Sequence, residues 1–314
     1  MKNRIHIRTL AVFIALCLSA AMLAGCGKEE TAVGGGIAVV LSGPVDDGAF
    51  NQLTYEGSKA VADETGVECV YRENVSPDEQ LEVIRELAKS GCGTVIGQGG
   101  QFGEALAVAA EEFPDTRFIF SVGNVTYGLP NLSAATVDYY EAGYIGGVLA
   151  ALSTKSGNVA MITGEFYENH RLMEKGFHEG VAAVDPAIRV ESFTTGDWGD
   201  ADVAADVTRK VIEKGFDTLF PCLDAAGAGV ARAAEEADVK VIGSVADYAK
   251  EYGADEVTVG SVVYDWYSLG RLEADGSLAD GGVHMLGRNA GSIAVVLNAP
   301  LDEARQAVYD ELMK

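Results

Sequence analysis

The sequence has 314 residues, enough for two domains of ordinary size, and 48% of them are hydrophobic, so a packed core is expected. Asp and Glu number 47 against 23 for Lys and Arg, which gives a formal net charge of -24. This balance argues against nucleic acid or an anionic membrane surface as a partner, because both require clustered positive charge.

The N-terminus has the layout of a secretory signal peptide. A basic start precedes an apolar stretch from Leu10 to Met22, and small residues follow. The run Leu23-Ala24-Gly25-Cys26 resembles the bacterial lipobox, in which the cysteine carries the lipid; an ordinary cleavage site with an incidental cysteine is the alternative. We therefore predict a signal peptide over residues 1–25, lipidation of Cys26 and a polar tether over 26–35, which would anchor an exported chain to the cell membrane.

From Gly36 onward, short apolar runs alternate with amphipathic stretches, a pattern typical of parallel sheets covered by helices on both faces. The predicted strands are Ile37 to Leu41, Glu68 to Tyr71, Thr94 to Ile96, Arg117 to Val122, Asn158 to Ile162, Arg189 to Phe193, Thr218 to Cys222, Val239 to Ile242, Thr258 to Val263 and Ser292 to Leu297. The predicted helices are Phe50 to Glu64, Pro77 to Lys89, Gln101 to Glu112, Tyr140 to Ser153, Leu172 to Val184, Ala201 to Lys214, Gly229 to Ala237 and Asp302 to Met313.

These elements are too many for one ordinary sheet. About five strands precede a seam near Val137 and as many follow it, so we predict two similar α/β lobes. Ligands of open parallel sheets bind outside the carboxyl ends of the strands, which places the expected site in a cleft between the lobes.

The cysteines beyond the anchor give a weak signal. Cys69, Cys92 and Cys222 are odd in number, form no CxxC pair and lie in or beside apolar stretches. We expect them to be small buried hydrophobic residues, with one disulfide as the alternative.

The turn after the first predicted strand is the first candidate for ligand binding. It is rich in Gly, Pro and Asp, and it brings Asp47, Phe50 and Asn51 to the carboxyl end of that strand. The alternative is a plain strand-to-helix connection, with Asp47 as the helix cap and Phe50 in the core.

The string GPVDDGAFNQLTYEG, which contains this turn, is similar to the opening motif of the basic membrane protein (BMP) family of lipoproteins. Members of that family include purine-nucleoside-binding components of ATP-driven (ABC) importers. Further similar blocks follow in order at residues 96–120, 138–164, 175–190 and 212–243.

The resemblance implies a type I periplasmic-binding-protein fold, in which two doubly wound parallel-sheet lobes are joined by three hinge crossings. We place these crossings near Val137, Val263 and Leu286. One lobe would then contain residues 36–137 with about 264–285, and the other 138–263 with about 286–314.

The resemblance also assigns roles to Phe50 and Asn51, which match the Phe-Asn pair that contacts the nucleobase in the family. An aromatic ring can cover one face of the base, and an amide supplies both a donor and an acceptor. We expect a second aromatic ring from the facing lobe, with Phe220 as the candidate and Trp198 as the alternative; core packing is the competing interpretation of each.

Other loops at strand ends are expected to line the cleft. Gly99 and Gln101 open a helix without forming a GxGxxG motif, and Asp138 begins a helix past the first crossing. Asp224 is interpreted either as a helix cap or as an acceptor for sugar hydroxyls, and Asp247 is the second acid of a family ribose motif.

Three positions depart from the nucleoside-binding pattern. Leu41 stands where that pattern has a base-reading Asp, Val245 replaces the first acid of the ribose motif, and Tyr264 replaces a Lys. Because each missing partner of a buried polar group costs about 1–3 kcal/mol, the same ligand in the same pose is not expected.

No motif indicates catalysis, a metal or a cofactor. His170, His178 and His284 lack metal-ligand spacing, and no acid-base pair of defined spacing is present. We predict a non-enzymatic receptor that binds a purine nucleoside or related solute and works with an ABC permease and ATPase. The alternatives are a nucleobase or simple sugar as ligand or, in a different class, a surface nucleoside-processing enzyme.

Overall fold

The structure, a computed structural model, describes residues 35–47 and 50–314, and these form two α/β lobes. Its strands are β1 (Gly36–Leu41), β2 (Cys69–Arg72), β3 (Cys92–Gln98), β4 (Arg117–Ser121), β5 (Leu132–Val137), β6 (Asn158–Thr163), β7 (Arg189–Thr194), β8 (Thr218–Cys222), β9 (Lys240–Val245), β10 (Thr258–Tyr264), β11 (Val283–Leu286) and β12 (Ile293–Leu297). Its helices are α1 (Phe50–Thr65), α2 (Gln80–Lys89), α3 (Gly103–Glu112), α4 (Tyr139–Ser153), α5 (Glu168–Val184), α6 (Ala201–Glu213), α7 (Gly227–Ala237), α8 (Tyr248–Tyr252), α9 (Trp266–Asp275) and α10 (Glu303–Leu312).

The two sheets have the same strand order. The first is β2-β1-β3-β4-β5-β11 and the second is β7-β6-β8-β9-β10-β12. Every pairing is parallel except that of β10 with β12, whereas the corresponding β5 and β11 are parallel. Each strand of one lobe therefore has an equivalent in the other, β4 with β9 and β5 with β10 among them.

Sequence composition explains why the central strands lie inside. In β1, GIAVVL, the last five residues are buried, and all five residues of β8, TLFPC, are buried. Parallel strands covered by helices on both faces become apolar along their whole length, so alternation of polar and apolar residues is lost.

Glycines let the helices that border the cleft pack closely. A Cβ atom at Gly270 of α9 would lie 2.4 Å from the Thr54 carbonyl oxygen of α1. A Cβ atom at Gly143 of α4 would lie 2.0 Å from the Met173 carbonyl oxygen of α5. One tightly packed helix pair thus flanks the cleft in each lobe.

The chain passes between the sheets three times, after β5, after β10 and after β11. Hydrogen bonds tie these crossings together: the amide of Asp138 donates to the Leu286 carbonyl, and that of Asp265 donates to the Ser292 carbonyl, both at 3.0 Å. The guanidinium of Arg288 also bonds the Glu141 carboxylate at 2.8 Å. The lobe bounds given above stay predictions, and the signal peptide and Cys26 lie outside the described residues.

The sequence patterns missed four elements, β5, β11, α8 and α9. β5, LSAATV, consists mainly of small residues, and β11 is a four-residue edge strand whose side chains alternate between exposed and half-buried. Helix α9 follows β10 after the single residue Asp265, so no turn separates the two patterns. Within the described part of the chain, no helix is long and apolar enough to cross a membrane.

The cysteines of the described residues are unpaired thiols. Cys92 and Cys222 are buried and Cys69 is half-buried, as expected of small apolar side chains. Burial raises the pKa of Cys69 to about 11 and that of Cys222 to about 12, so these thiols are not nucleophiles at neutral pH.

Candidate functional site

Aromatic rings of both lobes form a continuous series at the carboxyl ends of the two sheets. Phe50 meets Trp266 edge to face with ring centroids 5.0 Å apart, and Trp266 lies 5.7 Å from Tyr264. Tyr264 in turn lies 5.8 Å from Tyr139. This part of the series joins the start of α1 to the first two crossings.

The series continues into the second lobe through α5. Tyr139 contacts His170 at 5.6 Å, and His170 contacts Trp198 at 4.6 Å. Tyr167 stacks on Trp198 at 6.1 Å with an angle of 19° between the rings. We call these residues, from Phe50 to Trp198, the ring series.

The two crossings place their rings in the same way. Asp138 follows β5 and accepts a hydrogen bond from the amide of Glu141 at 2.9 Å, which starts α4 at Tyr139. Asp265 follows β10 and accepts from the amide of Ser268 at 2.9 Å, which starts α9 at Trp266. In both lobes a capping aspartate is therefore followed directly by a buried aromatic residue at the start of the helix.

Asp47 caps α1 and orients Asn51. Its carboxylate accepts from the amides of Asn51 and Gln52 at 2.9 and 3.0 Å, and from the Asn51 side-chain nitrogen at 2.9 Å. Asn51 is only 5% exposed, and its Oδ1 atom has no hydrogen-bond partner among the described residues. Phe50, one residue earlier, is half-buried and belongs to the ring series.

The structure places Phe220 in the core and not at the cleft surface. Phe220 has no exposed surface and stacks on Phe177 with ring centroids 5.2 Å apart and 7° between planes. The reason is its register: Phe220 lies within β8, under α4 and α5, where a parallel strand is covered. Trp198, the alternative, is half-buried and lies in the ring series.

Asp224 lies opposite Asp47. It keeps solvent access, but protein atoms surround it; this partial desolvation and then the negative charge of Asp47 raise the pKa of its carboxyl above the usual range. The two carboxylates, one in a first-lobe loop and the other in a second-lobe loop, repel each other. A hydrogen bond from the Asn169 side chain to the Val122 carbonyl, 3.4 Å long, joins the lobes here.

The remaining predicted site residues lie at other strand ends. Gly99 follows β3 with a φ of +125°, and an added Cβ atom would lie 2.5 Å from Oε1 of the neighbouring Gln101. Asp247 is half-buried before α8, and its side chain makes no capping bond. Asp138 is used as the α4 cap described above.

The three residues that depart from the nucleoside-binding pattern lie in apolar or aromatic surroundings. Leu41 is completely buried, and Tyr264 is 3% exposed with a hydroxyl that has no partner among the described residues. Val245 ends β9 with a φ of +70° and packs against the apolar cluster that contains Tyr139 and Trp266.

Sequence reasoning did not assign Tyr139, Tyr167, His170 or Trp266 to the site, and it named Tyr264 only as a departure from the nucleoside-binding pattern. The signal that could have revealed two of them is the repeated order of capping Asp and aromatic residue after β5 and β10. Burial lowers the pKa of His170 to about 4, so this ring is neutral at physiological pH.

Several buried polar atoms of the site lack partners among the described residues: Asn51 Oδ1, His170 Nδ1, Tyr264 Oη and Trp266 Nε1. Trp266 is 4% exposed, so its indole N–H has no route to bulk water. The Asn51 oxygen is an acceptor, the indole N–H of Trp266 is a donor, and the His170 nitrogen and the Tyr264 hydroxyl can each act as donor or acceptor. A ligand could supply the missing hydrogen bonds. No group of three His, Cys, Asp or Glu residues in the described ranges could hold a metal ion.

Comparisons with known proteins find relatives that match most of this chain. The chain is 24% identical to the transcriptional activator protein med of Bacillus subtilis, over 98% of this chain and 95% of that protein. It is 26% identical to the ABC transporter nucleoside-binding protein BmpA of Lactococcus lactis, over 85% of this chain and 76% of that protein.

A solved structure shows the same architecture. The ABC transporter solute-binding protein of Conexibacter woesei superimposes with a TM-score of 0.67 and 26% identity, over 88% of this chain and 94% of that chain. The model of the Bmp family, described as ABC transporter substrate-binding protein PnrA-like, matches residues 36–314. Because this match covers most of the chain, the protein belongs to the Bmp family of ABC transporter substrate-binding proteins.

Proposed function

We propose that this protein is the extracytoplasmic solute-binding lipoprotein of an ABC importer, and that it captures a purine nucleoside or a related small molecule between its lobes. The observation that carries the proposal is the ring series, which both lobes contribute. Family members are binding proteins, so we assign no enzymatic step to the site.

The physical basis is stacking combined with one directional amide. A ring stacked on a base contributes roughly 1–3 kcal/mol and accepts different bases, because every base has a π face. Asn51 is held by Asp47 with its oxygen unpartnered, so it can accept one hydrogen bond from the edge of the ligand. The nucleoside-binding name of the Lactococcus relative supports the same ligand class.

The first experiment identifies the ligand. The purified protein is denatured, the released small molecules are identified by mass spectrometry, and binding of purine nucleosides, purine bases and simple sugars is then measured by calorimetry. We expect a purine-containing ligand to bind. A protein that binds a simple sugar and no purine would contradict the proposal.

A pair of variants tests the role of Phe50. Phe50→Ala is expected to weaken binding by roughly 1–3 kcal/mol, because it removes the stacking ring. Tyr71→Ala is the matched control, since Tyr71 is exposed and packs on Tyr55 outside the ring series. Equal affinity of Phe50→Ala and the unmodified protein would remove the main support for the assignment.

Lobe closure makes a separate prediction. A ligand that binds only the folded protein stabilises it by roughly 2.7 kcal/mol at one hundred times Kd. We expect the bound ligand to raise the melting temperature and to reduce the solution radius measured by X-ray scattering. An unchanged radius would argue against closure around the ligand.

The proposed anchor is Cys26. Because the thiol takes the lipid, Cys26→Ser is expected to leave an unprocessed precursor or to release the protein from the membrane fraction. Cys17→Ser, a change within the proposed signal peptide, is the control and should leave membrane attachment intact. Membrane attachment of Cys26→Ser equal to that of the control would contradict a lipoprotein.

A second candidate function is ligand-dependent regulation, favoured by the similarity to the med protein over nearly the whole chain. The net charge of -24 argues against direct DNA contact. Deletion of the gene separates the two functions: an importer receptor predicts lost uptake of the labelled ligand, and a regulator predicts changed transcripts with uptake intact.

A further inference from the structure

A carboxylic acid is enclosed where α9 packs in the first lobe. Glu273 of α9 has no exposed surface, and neither of its carboxyl oxygens has a hydrogen-bond partner among the described residues. An ionised carboxylate without a partner is costly to bury, because the protein interior solvates a charge poorly. Burial accordingly raises the pKa of this carboxyl to about 8, so the group is the neutral acid at physiological pH.

Two further buried side chains of the first-lobe sheet lack a partner. Ser121 ends β4 and is the register partner of Gln98, which ends β3, so both side chains point to one face of the sheet. Both residues are completely buried, and neither Ser121 Oγ nor Gln98 Oε1 has a hydrogen-bond partner in the described part of the chain. The Ser121 hydroxyl opposes the effect of burial on the pKa of Glu273, so it lies beside that carboxyl.

The nitrogen of the Gln98 side chain holds the turn that carries Phe50. Nε2 of Gln98 donates to the Phe50 carbonyl at 3.2 Å and to Thr54 Oγ1 at 2.8 Å. A carbonyl oxygen can only accept, so the Phe50 contact fixes which end of the amide is the nitrogen. The other end, Oε1, is then an acceptor that requires a donor from the interior of the lobe.

Phe50 is therefore held at two points. Its ring meets Trp266 of α9 edge to face at 5.0 Å, and its carbonyl accepts the bond from Gln98. Trp266 and Glu273 are both buried and lie roughly two turns apart on α9, so they share one face of this helix. The same helix thus supplies the ring that contacts Phe50 and the acid beside Ser121.

A count of hydrogen atoms shows which form of Glu273 completes the missing bonds. The Ser121 hydroxyl has one hydrogen, and Gln98 Oε1 requires one. An ionised Glu273 only accepts, so it would compete with Gln98 for that hydrogen. A neutral Glu273 brings a second hydrogen: its O–H donates to Ser121 Oγ, and Ser121 donates to Gln98, directly or through one bridging water.

The charged side chains around α9 are engaged elsewhere. Arg117 of β4 donates from Nη2 to the Ala274 carbonyl at 3.1 Å, and Arg271 of α9 pairs with Glu64 of α1 at 2.8 Å. Strands β3 and β5, which also pack against α9, contain no charged residue. No ion pair within the described ranges therefore compensates an ionised Glu273.

We propose that Glu273, as a neutral acid, is a positioning residue for the ligand site, and that it acts through Ser121 and Gln98 to hold Phe50 at the cleft. The inference rests on the proposed function, because Phe50 is the ring assigned to the ligand there. Loss of the Glu273 proton removes the hydrogen that Gln98 needs, which loosens the Phe50 turn. The receptor then binds its ligand more weakly as the pH rises through about 8.

The first test is the pH dependence of affinity, measured by calorimetry with adenosine, whose base does not titrate between about pH 6 and pH 9. We expect the unmodified protein to lose about threefold or more in affinity over this range. Glu273→Gln keeps hydrogens to donate and cannot ionise, so its affinity should stay constant. Parallel pH profiles of the two proteins would overturn the inference.

Two further variants separate positioning from folding. Ser121→Ala interrupts the chain of bonds with a small change in volume, so its affinity should be about threefold lower at pH 6 and should not fall further as the pH rises. Glu64→Gln is the control, because it makes the same substitution in an exposed ion pair between α1 and α9. The control should keep the pH profile of the unmodified protein, whereas full pH dependence in Ser121→Ala would overturn the inference.

A measurement without ligand keeps the inference separate from the proposed function. The sequence contains two tryptophans, Trp198 and Trp266, so Trp198→Phe leaves only the ring that contacts Phe50. We expect the fluorescence of Trp266 to change between about pH 6 and pH 9, and this change to disappear when Glu273→Gln is added. The same pH profile in both proteins would overturn the inference. If adenosine binds at no pH, that result counts against the proposed function, and the fluorescence alone decides the inference.

Discussion

The two lobes share one strand order but supply different chemistry to the cleft. The first lobe brings the rings of Phe50 and Trp266. It also brings the Asn51 side-chain amide, which a hydrogen bond to Asp47 orients. The second lobe brings rings from α4, α5, β10 and the loop before α6. Equivalent backbone positions therefore do not imply equivalent recognition.

The equivalence is strongest at the crossings and at the strained strand ends. Tyr139 follows the capping aspartate after β5, and Trp266 follows the one after β10. Val122 follows β4, and Val245 is the last residue of β9, both with a positive φ. The backbone of each lobe thus offers the same positions at the carboxyl edge. Which of these positions stacks, bonds or only fills space depends on the side chain.

The largest expected effect distinguishes a core ring from a cleft ring. Phe220→Ala should reduce the free energy of unfolding by about 3–5 kcal/mol, because it empties a fully buried site beside Phe177. Phe50→Ala should reduce it by much less, since Phe50 is half-buried. Urea denaturation of both variants measures the difference. Equal losses would mean that Phe50 is also a core residue.

A smaller effect compares the helix pairs of the lobes. Gly143→Ala and Gly270→Ala should each cost about 1–3 kcal/mol of stability, because the added methyl group meets a backbone carbonyl at 2.0 or 2.4 Å. Gly100→Ala is the control, since its Cβ atom would meet open space. If only one of the two variants loses stability, the close helix packing contributes to stability in that lobe alone.

The stability of the first lobe should depend on pH through the ionisation of Glu273. This side chain of α9 is completely buried, and burial raises the pKa of its carboxyl from 4.5 to about 8, although the Ser121 hydroxyl opposes the shift. The folded state then holds the proton more tightly than the unfolded state. The stabilising contribution is complete below pH 4.5 and is lost as the pH rises toward about 8.

Glu273→Gln tests this dependence, because glutamine keeps the shape and does not titrate. We expect melting temperatures of the unmodified protein to decline relative to those of Glu273→Gln between pH 5 and pH 8. Parallel curves for the two proteins would show that Glu273 does not titrate in this range.

The stability of the second lobe should change with pH in the opposite direction because of His170. Burial lowers its pKa from 6.5 to about 4, so its stabilising contribution is present above pH 6.5 and is lost as the pH falls toward 4. His170→Phe keeps a ring between Tyr139 and Trp198 and removes the titration. The difference in melting temperature between the two proteins should therefore change between pH 7 and pH 4.5. A difference in melting temperature that stays constant over this range would contradict the lowered pKa of His170.

Much of the fold was predictable because its signals are local. The alternation of apolar runs and amphipathic stretches indicated two parallel-sheet lobes, and the ordered blocks from Gly43 onward indicated the family. Helix α9 and the small-residue strand β5 escaped prediction, because the assignment of α9 depends on packing against α1 and that of β5 on pairing with β4 and β11.

The site was predictable only where residues adjoin in sequence. Asp47, Phe50 and Asn51 lie in one turn, and that turn was identified directly. Phe220 was assigned to the cleft from its position near a strand end, but whether a ring at that register faces the core or the ligand depends on which helices cover the strand.

The lobes, their alternating elements and the family follow from the amino-acid sequence, because periodicity and ordered motifs act over short stretches of chain. Tertiary structure alone decided the ring series, which joins Phe50, Tyr139, His170, Trp198 and Trp266 from distant parts of the sequence. It also decided the left-handed conformations of Val122 and Val245, which no valine adopts from its own preference. Those conformations exist because the packing of two lobes around shared crossings outweighs the local cost at each strand end.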